Sequence, residues 1–188
     1  VSRQMKELVE RLLELARADR EPERADRRPV DWSDAVEQAL LPFEPVYYEK
    51  GLGLDVNLCP GVRVRGNAEQ LRRVAAILLD NGQKYAAPAS VVHVSLCREG
   101  RQAVLSVTSR GDTIPPEELP KLFKRFYRAD PDHRHGDGCG LGLAIAQQIV
   151  TAHRGRIRAA SDQGINTFSV ILRTVPARPR FAARLPGR

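Results

Sequence analysis

The sequence LLDNGQKY, at residues 78–85, brings an amide and an ammonium group to one face of a predicted helix. At 100° per residue, Ile77, Asn81 and Lys84 fall together, roughly a quarter turn from an apolar stripe that includes Leu78. The side-chain oxygen of an asparagine can ligate a magnesium ion that bridges phosphates, and a lysine can neutralise their charge. Taken alone, the pattern is more typical of a helix that ends in polar surface residues.

A run of alternate glycines, Gly136, Gly138, Gly140 and Gly142, comes directly before a predicted amphipathic helix. Backbone N–H groups in such a loop, beside a helix N-terminus, favour the binding of phosphate. The spacing fits neither the G-x-x-x-x-G-K-[ST] loop nor the dinucleotide-binding fingerprint, since no strand comes immediately before it. A flexible surface loop is the alternative interpretation.

Two further segments lie between these motifs. Gly111, in SRGDTIPPEEL at residues 109–119, follows a strand-like stretch and lets the backbone approach a flat ligand closely. Phe123 and Phe126 stand three residues apart in LFKRFYR and can anchor a segment from which Arg128 reaches a phosphate. Each segment alone is compatible with an ordinary turn, and it is their common order along the chain that indicates a nucleotide site.

These segments need a scaffold, and the hydrophobic pattern predicts an α/β fold. Residues 2–18 carry an apolar stripe at helical spacing, and the charged, proline-containing stretch at 19–29 reads as a linker. Ser33 is expected to be the N-cap of a helix that runs to about Glu49. Helices, paired strands and a long polar loop together predict a two-layer sandwich with helices on one sheet face. The other predicted elements are a strand at Val30 and Trp32, helices at 68–86 and 141–153, a short helical piece at 117–126, and strands at 52–58, 62–64, 91–96, 103–108, 156–160 and 167–172.

Composition limits the classes of protein to consider. The 188 residues suffice for one full domain with an appendage. No apolar run approaches the roughly 18 residues of a membrane helix, so a cytoplasmic chain is expected, although a longer parent could carry an inner-membrane anchor. Three widely spaced cysteines argue against a disulfide framework or a zinc site. The net charge of +7 comes largely from arginines after Asp162, which read as a solvated tail rather than a nucleic-acid surface.

In this order, the motifs resemble those of the ATP-binding catalytic domain of sensor histidine kinases, within the wider fold group of type II topoisomerases and Hsp90-like chaperones. LLDNGQKY looks like the N box of that family, SRGDTIPPEEL its first glycine box, LFKRFYRAD its F box and GDGCGLGLAIAQQIVTAHRGRI its second glycine box. MKELVERLLELARAD resembles the second helix of the dimerisation and phosphotransfer hairpin.

The resemblance implies a Bergerat fold: an α/β sandwich with a mixed, largely antiparallel sheet and helices on one face, preceded by one amphipathic helix. It divides the chain into a partial hairpin helix at 1–20, a linker at 21–29, an ATP-binding domain at 30–174 and a basic tail at 175–188. The implied activity is that of an autophosphorylating histidine kinase, which transfers the γ-phosphoryl group of ATP to a hairpin histidine. The implied partners are that hairpin and a response-regulator receiver domain, with a homodimer as the full-length state.

The resemblance also assigns residue roles, with ATP and Mg²⁺ as cofactors. Asn81 would ligate magnesium, and Lys84 and Arg128 would contact phosphate, so these three are the expected catalytic groups. Residues 127–139 would form a lid over the nucleotide. The pocket would be completed by Tyr85, Ser109, Gly111, Thr113, Phe123 and Thr167, by Ile114, Leu141 and Leu143 on the adenine side, and by Gly138, Gly140 and Gly142 over the phosphates.

Two positions depart from the motifs of the family. Ile77 stands where the N box usually begins with another asparagine, and it can neither ligate a metal nor position water. Ser109 stands where the first glycine box usually has an aspartate that accepts from the adenine amino group. A charge-assisted hydrogen bond contributes about 1.5–3 kcal/mol, against about 0.5–1.5 kcal/mol for a neutral one. The affinity for ATP is therefore expected to be about tenfold weaker than with aspartate.

The phosphoacceptor histidine is expected on the first hairpin helix, upstream of residue 1. His93, His133, His135 and His153 all lack the H-[ED]-x-x-[RTN]-P context of such a residue. Two alternatives stay open: a degenerate nucleotide-binding regulator of the same fold, and a serine-directed kinase or an ATPase of that fold. A nucleic-acid partner is not expected.

Overall fold

A five-stranded mixed sheet with helices on one face forms the part of the chain that the structure describes, residues 28–128 and 140–175 of a computed structural model. The expected hairpin helix at 2–18 and the basic tail after residue 175 lie outside the described residues. The elements in chain order are β1 (Arg28–Asp31), α1 (Trp32–Leu40), α2 (Glu44–Glu49), β2 (Gly53–Leu58), β3 (Arg63–Gly66), α3 (Ala68–Tyr85), β4 (Val91–Glu99), β5 (Gln102–Arg110), a 3₁₀ turn (Leu119–Phe123), α4 (Gly142–Ala152), β6 (Arg156–Asp162) and β7 (Ile165–Arg173).

The strands of the main sheet lie in the order β2-β4-β5-β7-β6, and β2 pairs with β4 in parallel while the other pairs are antiparallel. Alternate side chains turn toward the helices and are fully buried, as Val92 and Leu105 are. The opposite face is polar: the hydroxyls of Ser106 and Ser169 lie 2.9 Å apart. A mostly antiparallel sheet can leave one face to solvent in this way. The predicted two-layer sandwich is therefore confirmed.

A smaller sheet joins the two ends of the described region. β1 pairs antiparallel with β3, which places Val30 opposite Val64. Val64 also bridges to Thr174, and the N–H of Val175 donates to the carbonyl of Arg63 at 2.9 Å. The strands predicted on either side of the Pro60-Gly61 turn are both present, but they belong to different sheets, since β2 pairs with β4.

The helix predicted from Ser33 to Glu49 is wrong in two respects. Asp31 is the N-cap of α1, because its carboxylate accepts the N–H of Asp34 at 3.2 Å. Ser33 is instead buried, donating to the carbonyl of Cys59 at 2.7 Å and accepting the N–H of Val62 at 3.0 Å. The helix also ends at Leu40, before Pro42, whose ring has no N–H and crowds the preceding turn. Trp32, predicted in a strand, opens α1 and is fully buried.

The end of helix α4 offers a test of local backbone strain. Arg154 has a φ of 56° and donates its N–H to the carbonyl of Thr151, while Gly155 donates to that of Val150. Glycine is the usual residue at this left-handed position. We expect Arg154→Gly to raise the free energy of unfolding by about 1 kcal/mol, because glycine adopts this φ without a β-carbon penalty. Urea unfolding measures it.

Arg154→Ala is the matched control for this substitution. It removes the same charge and side-chain length but keeps the β-carbon, so it should give no comparable gain. An equal gain from both variants would mean that the charge, and not the backbone, limits stability at this position.

None of the helices in the described ranges is long and apolar enough to cross a lipid bilayer.

Candidate functional site

The polar face predicted for α3 is present in the structure. The helix begins after Asn67, whose side chain accepts the N–H of Gln70 at 3.0 Å. A buried stripe packs against the sheet and α4, and the predicted polar face lies beside it, half-buried. The stripe contains Leu71, Val74 and Leu78, and the adjacent face contains Ile77, Asn81 and Lys84.

Lys84 is held by a neighbour that the sequence analysis did not single out. Its Nζ lies 2.6 Å from Oδ2 of Asp80, one helical turn earlier. The other oxygen of Asp80 accepts from Nε2 of Gln83 at 2.9 Å. A phosphate that binds Lys84 must therefore compete with Asp80 or share the ammonium group with it. The spacing of four residues between opposite charges on a helix is the signal that could have predicted this pair.

Helix α4 starts beside this face. Its first residue is Gly142, and Leu141 before it has no polar side-chain atom that could cap the helix. Leu141 therefore caps none of the first backbone N–H groups of α4, and groups of this kind at a helix N-terminus can bind an anion. A β-carbon built at Gly142 would lie 3.4 Å from Cγ2 of Ile77. Ile77 therefore makes an apolar contact at the place where the family motif has asparagine.

The other end of the site is formed where β5 leaves the sheet. A β-carbon built at Gly111 would lie only 2.4 Å from the carbonyl oxygen of Tyr85 at the end of α3. The N–H of Gly111 donates to the carbonyl of Gly164 at 2.8 Å. The close backbone approach predicted for Gly111 is thus made to the protein's own helix. Ser109, two residues earlier, is buried with 5% of its surface exposed.

Two residues that the sequence analysis missed hold the loop at 111–114 onto the sheet. Asn166 pairs with Ser109 across β5 and β7, and Ser161 pairs with Asn166 across β6. Asn166 donates Nδ2–H to the carbonyl of Asp112 at 2.9 Å, and the hydroxyl of Ser161 accepts the N–H of Ile114 at 2.8 Å. These bonds fix the loop before any ligand arrives.

Thr167, expected near the adenine, lies on the wrong face of the sheet for that role. Its hydroxyl is 3.0 Å from that of Thr108, on the open face away from the helices. Thr167 also lines a shallow concavity of about 350 Å³ there, together with Arg158 and Ser169. Successive strand residues face opposite sides, so Asn166 occupies the helix-facing position that the resemblance gave to Thr167. The alternation of Asn166 with the buried Val170 and Leu172 could have shown this.

The other residues predicted for the site lie in the segment before α4, at the start of α4 and in the loop that follows β5. Phe126 has a φ of 64° and donates its N–H to the carbonyl of Gly140 at 3.0 Å, so Arg128 follows a segment that lies against the start of the α4 region. Leu141 is fully buried in the core, and Leu143 packs against that core. Phe123 and Ile114 are half-buried and Thr113 is exposed. Gly138 and most of the expected lid, residues 129–139, lie outside the described residues.

Helix α3 sets the distance between the two ends. The side chain of Ile77 lies beside Gly142 at the start of α4, and the backbone carbonyl of Tyr85 lies beside Gly111. Eight residues at 1.5 Å each separate them by about 12 Å. Asn81 lies midway along this span and Lys84 near its second end. The start of α4 thus lies beside one end of this span, and the buried side chain of Ser109 lies two residues before Gly111 at the other end.

The packing behind Asn81 can be tested at Gly82. A β-carbon there would lie 2.7 Å from the hydroxyl of Tyr47, which is buried and donates to the carbonyl of Leu79 at 2.8 Å. Burial, and then the charge of Asp80, raises the pKa of Tyr47, so this donor stays protonated. Gly82→Ala should destabilise the fold by about 1–3 kcal/mol through overpacking, despite the better helix propensity of alanine.

Tyr47→Phe supplies the control for this prediction. It removes the hydroxyl that the new methyl group would strike, at a cost of about 0.5–1.5 kcal/mol for the lost hydrogen bond. In the Tyr47→Phe background, Gly82→Ala should therefore cost at least about 1 kcal/mol less than in the wild type. Additive effects in a denaturant-unfolding cycle would contradict the close contact.

Comparison with known proteins agrees with this geometry. Residues 66–179 match the family described as histidine kinase-, DNA gyrase B-, and HSP90-like ATPase. The sensor protein DltS of Streptococcus agalactiae is 32% identical over 162 residues, which cover 86% of this chain and 41% of DltS. The sensor histidine kinase CusS of Escherichia coli O157:H7 is 32% identical over 169 residues, covering 89% of this chain and 35% of CusS. The chain thus spans less than half the length of these relatives.

Solved structures show the same fold. The mycobacterial sensor histidine kinase MprB superposes with a TM-score of 0.68 at 30% identity, covering 80% of this chain and 99% of that structure. Full-length ShkA in complex with AMPPNP gives a TM-score of 0.78 at 22% identity, covering 91% of this chain and 36% of that one. The chain belongs to the family of histidine kinase-, DNA gyrase B- and HSP90-like ATPases, and its fold is that of the ATP-binding catalytic domain of sensor histidine kinases.

Proposed function

We propose that this domain binds Mg-ATP and transfers the γ-phosphoryl group to a histidine on a dimerisation hairpin, as the kinase component of a two-component system. The observation that carries the proposal is what stands at the two ends of an α3 span of about 12 Å: the start of α4, which its N-cap residue Leu141 does not cap, and the buried polar side chain of Ser109. Such an arrangement suits phosphates at one end and a base at the other.

Transfer of a phosphoryl group requires positioning and charge neutralisation more than covalent chemistry. Lys84 and Arg128 supply positive charge, and the start of α4 supplies oriented N–H groups. Because Lys84 is paired with Asp80 at 2.6 Å, its contact with phosphate would come at the expense of that ion pair. Asp80 would then keep its bond from Gln83, so the carboxylate does not become an unpaired charge.

The donor set of this chain fits a magnesium ion with few protein ligands. Magnesium is usually held by one or two protein oxygens together with phosphate oxygens and water. Asn81 offers one half-buried amide oxygen midway along the site. Asp80 already bonds Lys84 and Gln83, and Ile77 has no ligand atom. Magnesium bound at Asn81 would neutralise the charge on the phosphates.

The partners of the whole protein follow from the same proposal. The relatives are sensor proteins more than twice as long as the aligned region, so the phosphoacceptor and sensing parts would lie elsewhere in a parent protein. We assign residues 1–20 to the second hairpin helix, 21–29 to a linker whose last two residues lie in strand β1, 30–174 to the ATP-binding domain and 175–188 to a basic tail. A response-regulator receiver domain would take the phosphoryl group, and the hairpins of two copies would form the dimer in the cytoplasm.

The test is phosphorylation of the full-length parent with radiolabelled Mg-ATP. The expected product is a phosphohistidine that is stable in base and labile in acid, and its absence would contradict the kinase proposal. A titration of this domain with a fluorescent ATP analogue, with and without magnesium, separates binding from transfer. Binding that magnesium strengthens, but without transfer to a supplied hairpin, would instead support a nucleotide-binding regulator, the alternative that Ile77 and Ser109 motivate.

A further inference from the structure

Two cysteines that are 38 positions apart in the chain are neighbours in the sheet. The last pair in the parallel ladder of β2 and β4 is Leu58 with Leu96, and the N–H of Cys59 then donates to the carbonyl of Leu96 at 2.8 Å. Cys59 and Cys97 are therefore the next residues at the same register. Both are free thiols.

The side chains of the two cysteines point to the same face of the sheet. Leu58 packs against the core and Leu96 is fully buried in it, so the residue that follows each of them faces the open side. Cys59 is exposed there and Cys97 is half-buried. Adjacent strands lie about 4.8 Å apart, a spacing that falls within the roughly 4.4–6.8 Å between α-carbons that a disulfide requires.

The thiol of Cys97 already interacts with two neighbours. Its Sγ–H donates to Oε1 of Glu99 at 3.7 Å. Partial burial, then the charge of Glu99 and this hydrogen bond, and finally the Cys59 thiol raise the pKa of Cys97. Cys59 has this effect because the two sulfur atoms lie close together. Cys59 is also the more accessible thiol, so an oxidant in solution reaches it first.

We propose that Cys59 and Cys97 form a reversible disulfide by exchange with a low-molecular-weight disulfide, which makes the open face of the sheet a redox-sensitive modification site. The thiolate of Cys59 attacks one sulfur of the small disulfide, forms a mixed disulfide and releases one small thiol. The thiolate of Cys97 then attacks the sulfur of Cys59 and releases the second small thiol. The two protein thiols are oxidised, the small disulfide is reduced, and the two thiol protons end on the released thiols.

The crosslink would enclose the whole of helix α3. The chain between the two cysteines contains β3, α3 and most of β4, so the disulfide closes a loop of about 38 residues that carries Asn81 and Lys84. A disulfide stabilises a fold mainly by restricting the unfolded chain, and it does so more for longer loops. In a reducing compartment such bonds are usually transient and redox-sensing. The inference does not depend on the ATP site.

The first experiment treats the folded 188-residue chain with oxidised glutathione and maps the cysteines by alkylation, trypsin digestion and mass spectrometry. Trypsin leaves Cys59 and Cys97 on separate peptides, residues 51–63 and 85–98. The expected product contains these two peptides joined, and dithiothreitol should separate them. The same treatment in concentrated urea is the control, because in an unfolded chain Cys139 competes for either partner.

Two single substitutions and a stability measurement complete the test. Cys97→Ser should lose the joined peptides and stop at the mixed disulfide of Cys59 with glutathione. Cys59→Ser should lose them too, and its Cys97 should react more slowly than Cys59 does. Oxidation of the wild type should raise the urea concentration at the midpoint of unfolding by about 1 M or more, because a long loop is closed. Oxidation should not raise the midpoint of either variant.

The outcomes that would overturn the inference are separate from those that bear on the ATP site. If the joined peptides were no more frequent from the folded chain than from the chain in urea, the fold would not bring the two thiols together. Stable mixed disulfides on both cysteines, or disulfide-linked dimers without the internal bond, would overturn the inference as well. A domain that failed to bind ATP but formed the bond would contradict only the proposed function.

Discussion

Replacing Asn81 with alanine should lower the rate of phosphoryl transfer by about a hundredfold or more, the effect expected when a preorganised polar group at the reacting phosphates is lost. The side chain is half-buried midway between the two ends of the site and lies outside the hydrophobic core. The free energy of unfolding should therefore stay within about 0.5 kcal/mol of the wild type. Formation of phosphohistidine in the full-length parent measures the rate.

Two companions make this prediction specific. Asn81→Asp keeps an oxygen ligand, so it should retain more of the magnesium dependence of ATP binding than Asn81→Ala does. Asn57→Ala removes an exposed asparagine from β2 and should change neither binding nor rate. If Asn81→Ala bound ATP with undiminished magnesium dependence, the assignment of Asn81 as the metal ligand would be wrong.

Gly111→Ala should destabilise the protein and weaken nucleotide binding together. Its new methyl group would lie 2.4 Å from the backbone oxygen of Tyr85, which cannot move without shifting the end of α3. Overpacking of this kind costs about 1–3 kcal/mol, and a contact with backbone belongs at the upper end of that range. The shift would also disturb the bond from Gly111 to Gly164 and the loop above Asn166. Denaturant unfolding and the ATP titration measure the two effects.

Gly142→Ala is the control for added volume in the same site. Its β-carbon would meet Cγ2 of Ile77 at 3.4 Å, an ordinary contact with a side chain that can adjust. Alanine also favours a helix more than glycine does, by about 1 kcal/mol in a helix interior. Stability should therefore be unchanged or higher. A Gly111→Ala protein as stable as Gly142→Ala would show that the end of β5 does not press on α3.

Sequence reasoning succeeded where a pattern is decided locally. Helix α3 spans 18 residues, so several turns of apolar spacing identify its buried stripe and place Asn81 and Lys84 beside it. The helix predicted at 141–153 is likewise present as α4, Gly142–Ala152. The ion pair between Lys84 and Asp80 could also have been predicted, because the two residues are four apart on a helix.

Prediction from the sequence failed where a residue's environment is determined by contacts with distant parts of the chain. A one-residue shift reverses the face of a strand residue: Thr167, predicted in the nucleotide pocket, lies on the open face of the sheet, and its neighbour Asn166 is the one that is buried. The cap of α1 was misassigned because Ser33 bonds the carbonyl of Cys59, 26 residues away, and leaves Asp31 to cap the helix. No local pattern indicates that Ile77 meets Gly142, since α4 begins 65 positions later in the chain and only the packed fold brings them together.

The small sheet that joins Val30, Val64 and Thr174 should allow circular permutation of the domain. Because β1 and Thr174, the residue that follows β7, both pair with Val64 of β3, a short linker could connect the two ends of the described region. A circular permutant opened at the exposed turn around Gly100 would keep β5, α3 and α4 in their present contacts. The chain therefore enters and leaves the described domain beside one strand, β3.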